Sequence, residues 1–300
     1  MKKLEEMTLA DDFMFCKVME NEAIAKEFIE ELLGNKVATI TCLRIQESYK
    51  DNSTGHGVRF DVKFIGDDII YNIEMQQSML DRKSDQDEQR NLFRRTRYYH
   101  ANLATQALPE GEDYGALPDS YVIFVCKFDP FGKGYAKYDI KPYNETLGCV
   151  YPSGERTILL NAYFTDKNVS SGIKDFLGLV RDGEYECDSP TLLFYKVVEE
   201  IKKVRQDPKV RREFMSYYEH VRLERAAARA EGREEGRAEG RAEGREEGIE
   251  ETILKFALSL QKKEGISREE AFMRVEELLR VGEEFSTADS GEMNLDRDRN

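Results

Sequence analysis

At 300 residues with 40% hydrophobic side chains, the chain is long enough for one or two domains with a sizeable core. Its longest apolar runs, such as YVIFVC at 121–126, are too short for a bilayer span; the N-terminus has no apolar signal core, and five scattered cysteines form no CxxC pair, so the expectation is a soluble cytoplasmic protein without membrane partner, disulfide framework or zinc knuckle. The formal charge of −14 does not exclude a nucleic-acid partner, because its distribution counts for more than its sum: residues 283–300 carry six acidic residues against two arginines, the composition of a solvated tail.

In chain order, TLADDFMFCKVM opens like a helix, with Thr8 and Asp11 at capping-box spacing. NEAIAKEFIEELLG then puts Ile24, Phe28, Ile29, Leu32 and Leu33 on one helical face and stops at Gly34. Strands are predicted at 37–45, in the hairpin GVRFDVKFIGDDIIYNIEMQQ (57–77), and at 121–128, 135–140 and 156–164. A long helix is predicted from about Ser84 to Leu108, between the hairpin and the 121–128 strand. The sequence of helices and strands implies an α/β layer architecture.

Beyond about residue 200 the pattern is helical only. Glycine recurs every fourth residue at 232, 236, 240, 244 and 248, which weakens an isolated helix by roughly 1 kcal/mol per position relative to alanine. Two readings stand: a solvated helical arm or linker of low complexity, and a surface for self-association in which the small residues let two helices approach. Two further helices flank the turn EGIS near 264–267. The predicted divisions are 1–200, a globular domain; 201–250, the arm; 251–282, a C-terminal helical segment; and 283–300, the acidic tail.

The hairpin carries the chemistry. A two-residue Asp67-Asp68 turn, or a four-residue turn over 66–69, pairs positions that sum to 135 and sets Asp61 opposite Glu74, whereas a three-residue loop without a bulge puts them on opposite faces; the first register is favoured. Val62, Phe64, Tyr71, Ile73 and Met75 then form an apolar face, and Asp61, Lys63, Asn72, Glu74 and Gln76 the other. Two facing carboxylates repel, and a divalent cation of the magnesium type, which favours oxygen ligands, removes that cost. The competing reading is a polar, solvent-facing side of an antiparallel sheet. On the following helix Arg90, Arg94 and Arg97 share a face, in a stretch where six basic residues outnumber three acidic ones between 82 and 100. They are either phosphate contacts or an ordinary solvated face.

Asp61 followed by EMQ at 74–76 resembles the D…ExK core of the PD-(D/E)XK nucleases in an E-x-Q form. DDFMFCKVM, RFDVKF, YNIEMQ, RRTRYYHANL, YVIFVCKFDPFGKGYAKYDI, TILLNAYF and the Glu-Gly-Arg repeat are similar to the recombination-promoting nuclease, or Rpn, family of putative transposases. The resemblance implies a restriction-endonuclease-like core, a central mixed β-sheet flanked by helices, with an all-helical C-terminal extension. It implies metal-dependent hydrolysis of double-stranded DNA, with Mg²⁺ or another divalent cation such as Mn²⁺ or Ca²⁺ held by Asp61, Glu74 and Asp12. Asp12 also suits a helix N-terminus by its charge alone. Gln76 stands where many of these nucleases have a water-orienting lysine; an amide carries no charge, and Lys63 on the same face is a candidate source of one, an exposed strand lysine being the alternative. Two functions follow: a DNA endonuclease linked to recombination, transposition or mobile-element defence, and a catalytically weakened nuclease fold that binds DNA or self-assembles through its arm.

Overall fold

The computed structural model describes residues 2–43, 62–77, 85–166, 169–184 and 186–277. Two compact units divide the chain, Met1–Ser216 and Tyr217–Asn300.

The first unit is built on a mixed six-stranded sheet. Its strands are β1 (Thr41–Leu43), β2 (Val62–Gly66), β3 (Ile69–Gln76), β4 (Asp119–Cys126), β5 (Lys137–Ile140) and β8 (Glu155–Asn161). They lie in the order β1-β2-β3-β4-β8-β5. β3, β4 and β8 run parallel, and the pairs β1–β2, β2–β3 and β5–β8 run antiparallel. A small hairpin, β6 (Tyr143–Asn144) with β7 (Cys149–Val150), stands apart.

The β2–β3 hairpin has the register read from its turn. Val62 pairs with Ile73, Phe64 with Tyr71 and Gly66 with Ile69. Asp67 and Asp68 take φ of 51° and 60°, the left-handed pair that a two-residue hairpin turn needs and that aspartate tolerates. Gly66 is required for another reason: a Cβ there would lie 2.2 Å from the Thr39 carbonyl oxygen.

The helices of this unit are α1 (Asp12–Met19), α2 (Glu22–Leu33), α3 (Asp85–Ala107), α4 (Ser171–Asp182), α5 (Leu192–Gln206) and the start of α6 (Pro208–Glu264). α3 is the crossover between the parallel strands β3 and β4, and it packs on one face of the sheet. Leu92, Tyr99 and Leu103 meet Ile70, Val122, Phe124, Cys126 and Leu159 there. The strand residues of opposite parity, Ile73, Ile123, Val125, Ile158 and Leu160, are also fully buried. α1, α2, α4 and α5 pack together, with Phe15 and Phe28 against Phe176, and Lys137 of β5 reaches the Leu32 carbonyl of α2. Helices thus flank the sheet, the α/β core expected from the sequence.

Several boundaries differ from the sequence expectation. Asp11 Oδ2 does accept from Thr8 N–H at 2.7 Å, but that bond closes a turn, and α1 starts only at Asp12. Of the 37–45 segment, residues 41–43 are strand, residues 37–40 are not, and residues 44–45 lie outside the described residues. α2 ends at Gly34 in the left-handed conformation as read, with Leu33 half-buried at the edge of its apolar face.

α6 continues as a helix through all five glycines of the repeat, each exposed and with nothing within 4 Å of an added Cβ. In the second unit, Ala257 of α6 packs with Ala271 and Val275 of a helix at 268–277, joined through Gly265 at φ 67°. The acidic tail at 283–300 lies outside the described residues. No helix among the described residues is long and apolar enough to cross a membrane.

Candidate active site at the end of strand β3

β3 is an interior strand covered on both faces, yet it carries Asn72, Glu74 and Gln76 on one of them. Their exposures are 0%, 3% and 7%. A solvent-facing polar side, one of the two readings from sequence, is therefore overturned for these three residues by the α3 crossover above them. A carboxylate so placed needs partners.

α3 supplies them. Tyr99 Oη donates to Glu74 Oε2 at 3.2 Å, and Arg95 Nη2 reaches the same oxygen at 3.5 Å. Arg95 Nη1 donates to Gln76 Oε1 at 2.9 Å, and its Nη2 donates to Tyr99 Oη at 3.0 Å. The guanidinium lies 5.6 Å from the Tyr99 ring centre and 5.5 Å from that of Phe124, which themselves stack at 5.8 Å. Arg95 and Tyr99 are four residues apart, so one helical face delivers both.

Burial, and next to it the Glu74 charge, pushes the Tyr99 phenol far above its usual pKa, so it remains a neutral donor. On the Glu74 Oε1 side, Asn72 Nδ2 stands at 3.4 Å. Asn72 Oδ1 is buried with no hydrogen-bond partner among the described residues.

The candidate residues from sequence divide as follows. Glu74 and Gln76 are together, two residues apart at the carboxyl end of parallel strands, the usual place for a site in such sheets. Asp61 lies outside the described residues, one position before the Val62–Ile73 pair. Asp12, exposed at the start of α1, accepts from Gln77 Nε2 at 3.4 Å, which brings α1 to the end of β3. Lys63 donates to Gln106 Oε1 at 2.9 Å, near the far end of α3. Arg90, Arg94 and Arg97 are exposed on α3.

Sequence reasoning passed over Arg95 as a site residue. The signal was present: Leu92, Arg95, Tyr99 and Leu103 recur at helical spacing, so an arginine occupies an otherwise apolar stripe.

Residues 10–148 match the family model of the PD-(D/E)XK nuclease family transposases. The matched region runs from α1 through β3 and α3 to the β6–β7 hairpin, so it contains every residue of the cluster. No curated protein and no solved structure matches the chain. Nucleases of the PD-(D/E)XK kind generally use divalent metal ions. The Glu74 carboxylate and the Asp12 carboxylate beside Gln77 have the hard oxygen chemistry that such a cation prefers, whereas the Gln76 amide oxygen accepts from Arg95. Among the described residues no group of three or more His, Cys, Asp or Glu converges.

Proposed function

We propose that the chain is a divalent-metal-dependent DNA endonuclease that hydrolyses phosphodiester bonds in double-stranded DNA, in the service of recombination, transposition or defence against mobile elements. The observation that carries the reading is Glu74, a carboxylate buried at 3% exposure on an interior strand, with Gln76 two residues on and a basic helix laid across both. The family match supports a nuclease or transposase role.

In this reading Asp61, which the sequence register sets opposite Glu74, would hold the cation together with Glu74 and Asp12. A bound divalent cation would supply charge to polarise the phosphate and acidify a water. Gln76 orients that water through its amide. Arg90, Arg94, Arg97 and Lys63 meet the phosphate backbone, which carries no sequence information and fixes only position. α6 and its glycine repeat join copies of the chain into a homo-oligomer.

The second reading, a weakened nuclease fold that binds DNA or assembles without cutting, draws on the uncharged Gln76 in the lysine's place. The deciding experiment is incubation of supercoiled plasmid with purified protein and Mg²⁺, Mn²⁺ or Ca²⁺, with EDTA as control. Metal-dependent nicking or linearisation is expected. DNA retention in a mobility-shift assay without cutting in any cation would favour the second reading.

A further inference from the structure

We propose that Arg95 is the positioning residue that brings to this site the positive charge absent from Gln76. The inference rests on the nuclease reading above and deepens it. An amide can align a water but cannot balance charge that builds on a phosphate, so a site with glutamine at this position needs a cation from elsewhere.

The geometry names the source. Guanidinium nitrogens only donate, so the atom of Gln76 that lies 2.9 Å from Arg95 Nη1 must be the amide oxygen. With its oxygen held there, the amide turns its NH₂ end away from Arg95, the donor polarity that a lysine also has. Lys63, on the same sheet face, donates to Gln106 Oε1 at 2.9 Å.

Arg95 is also held in place as a cation by several contacts at once. Its contact with Glu74 is long, 3.5 Å, while its contacts with Gln76 and Tyr99 are 2.9 and 3.0 Å. The Tyr99 hydroxyl and the stacked rings of Tyr99 and Phe124 hold the guanidinium plane, and 35% of the side chain stays exposed. A residue needed only to attach α3 to β3 could be replaced by an apolar one; this one keeps a charge at the carboxyl end of the strand, between the carboxylate and solvent.

The test uses full-length wild-type protein, Arg95→Met, which retains the stem over the rings, and Arg95→Lys. Four measurements are made: single-turnover plasmid cleavage in Mg²⁺, the DNA concentration dependence of cleavage, Mn²⁺ affinity by electron paramagnetic resonance, and the thermal transition. For Arg95→Met we expect cleavage to fall about 100-fold with KM for DNA changed less than about threefold, because the charge acts on turnover rather than on docking. Its Mn²⁺ affinity should rise about threefold, since a positive neighbour of Glu74 has gone. Millimolar guanidinium should restore part of the rate, and Arg95→Lys should fall between the two.

Wild-type cleavage by Arg95→Met overturns the inference. So does joint loss of cleavage, Mn²⁺ binding and the thermal transition in both variants without guanidinium rescue, which would make Arg95 a structural bridge. A wild-type protein that cuts in no cation overturns the nuclease reading itself and is recognised before any variant is made.

Discussion

Tyr99 of α3 donates its hydroxyl proton to Glu74 of β3 over 3.2 Å, so the carboxylate at the heart of the sheet is held by the helix that covers it. Truncation of Glu74 would therefore strand both Tyr99 and Arg95, at a cost of about 1–3 kcal/mol. Glu74→Gln keeps an acceptor in place while it removes the charge. We expect Glu74→Gln and Asp61→Ala each to lower Mg²⁺-dependent cleavage by about 100-fold or more, with the folded state retained in circular dichroism. Full cleavage by both variants would remove the pair from the site.

The hairpin shows how much of this was legible. Of the loop lengths open to the sequence, the favoured two-residue Asp67-Asp68 turn is the one that forms, and its left-handed pair fixes the register, a local effect. The apolar face of Val62, Phe64, Tyr71, Ile73 and Met75 followed from parity alone, and all five are buried. The fate of the opposite face did not, because it depends on a crossover helix whose packing is set by long-range contacts. That is why Asn72, Glu74 and Gln76 looked equally suited to solvent and to a site. α4, α5 and the β6–β7 hairpin were not individually read, although α4 has a Ser170 N-cap and α5 a Thr191 N-cap that mark their starts. Arg95 was hidden for another reason: three arginines with regular spacing drew attention to the exposed side of α3, and the one arginine on its buried side was passed over.

Those exposed arginines carry a separate expectation. Replacement of Arg90, Arg94 and Arg97 together by alanine should weaken DNA binding for all sequences alike. The slope of log affinity against log salt should shrink by about 0.9 for each phosphate that is no longer neutralised. Fold and Mn²⁺ binding should be unchanged, because none of the three is buried. Equal affinity and equal salt slope in a filter-binding titration would make them a solvated face.

His100 gives the core a pH dependence independent of the site. Its ring nitrogens lie 2.7 Å from Ser120 Oγ and 3.0 Å from Thr157 Oγ1, joining α3 to β4 and β8, and burial lowers its pKa from 6.5 to about 4. A histidine with a depressed folded pKa binds its proton more readily when unfolded. Its neutral form thus contributes stability above pH 6.5, and that contribution is lost as the pH falls toward 4, by about 3 kcal/mol in all. We expect His100→Gln to be less stable than wild type at pH 7.5 and to lose less stability between pH 6.5 and 4.5 in urea denaturation. Parallel pH profiles for the two proteins would contradict the assignment.

The glycine repeat tests what α6 is for. Glycines 232, 236, 240, 244 and 248 sit in one continuous helix at a combined propensity cost of about 5 kcal/mol, and their own unit offers no neighbour within 4 Å of an added methyl. The repeat also stacks like charges four residues apart, Arg233, Arg237, Arg241 and Arg245 on one line and Glu239, Glu243 and Glu247 on another, which weakens an isolated helix further. A second copy of the helix could set the arginine line of one chain against the glutamate line of the other and let the backbones approach along the glycines. We expect deletion from Ala226 onward to leave a folded core that still cuts DNA and to lower the oligomeric state measured by light scattering. Replacement of all five glycines by alanine separates the alternatives: in an assembly surface the methyls hold the helices apart and weaken association, whereas in a solvated spacer they only raise helicity. If truncated, substituted and wild-type proteins all scatter as one species, α6 is a spacer and the copies do not meet through it.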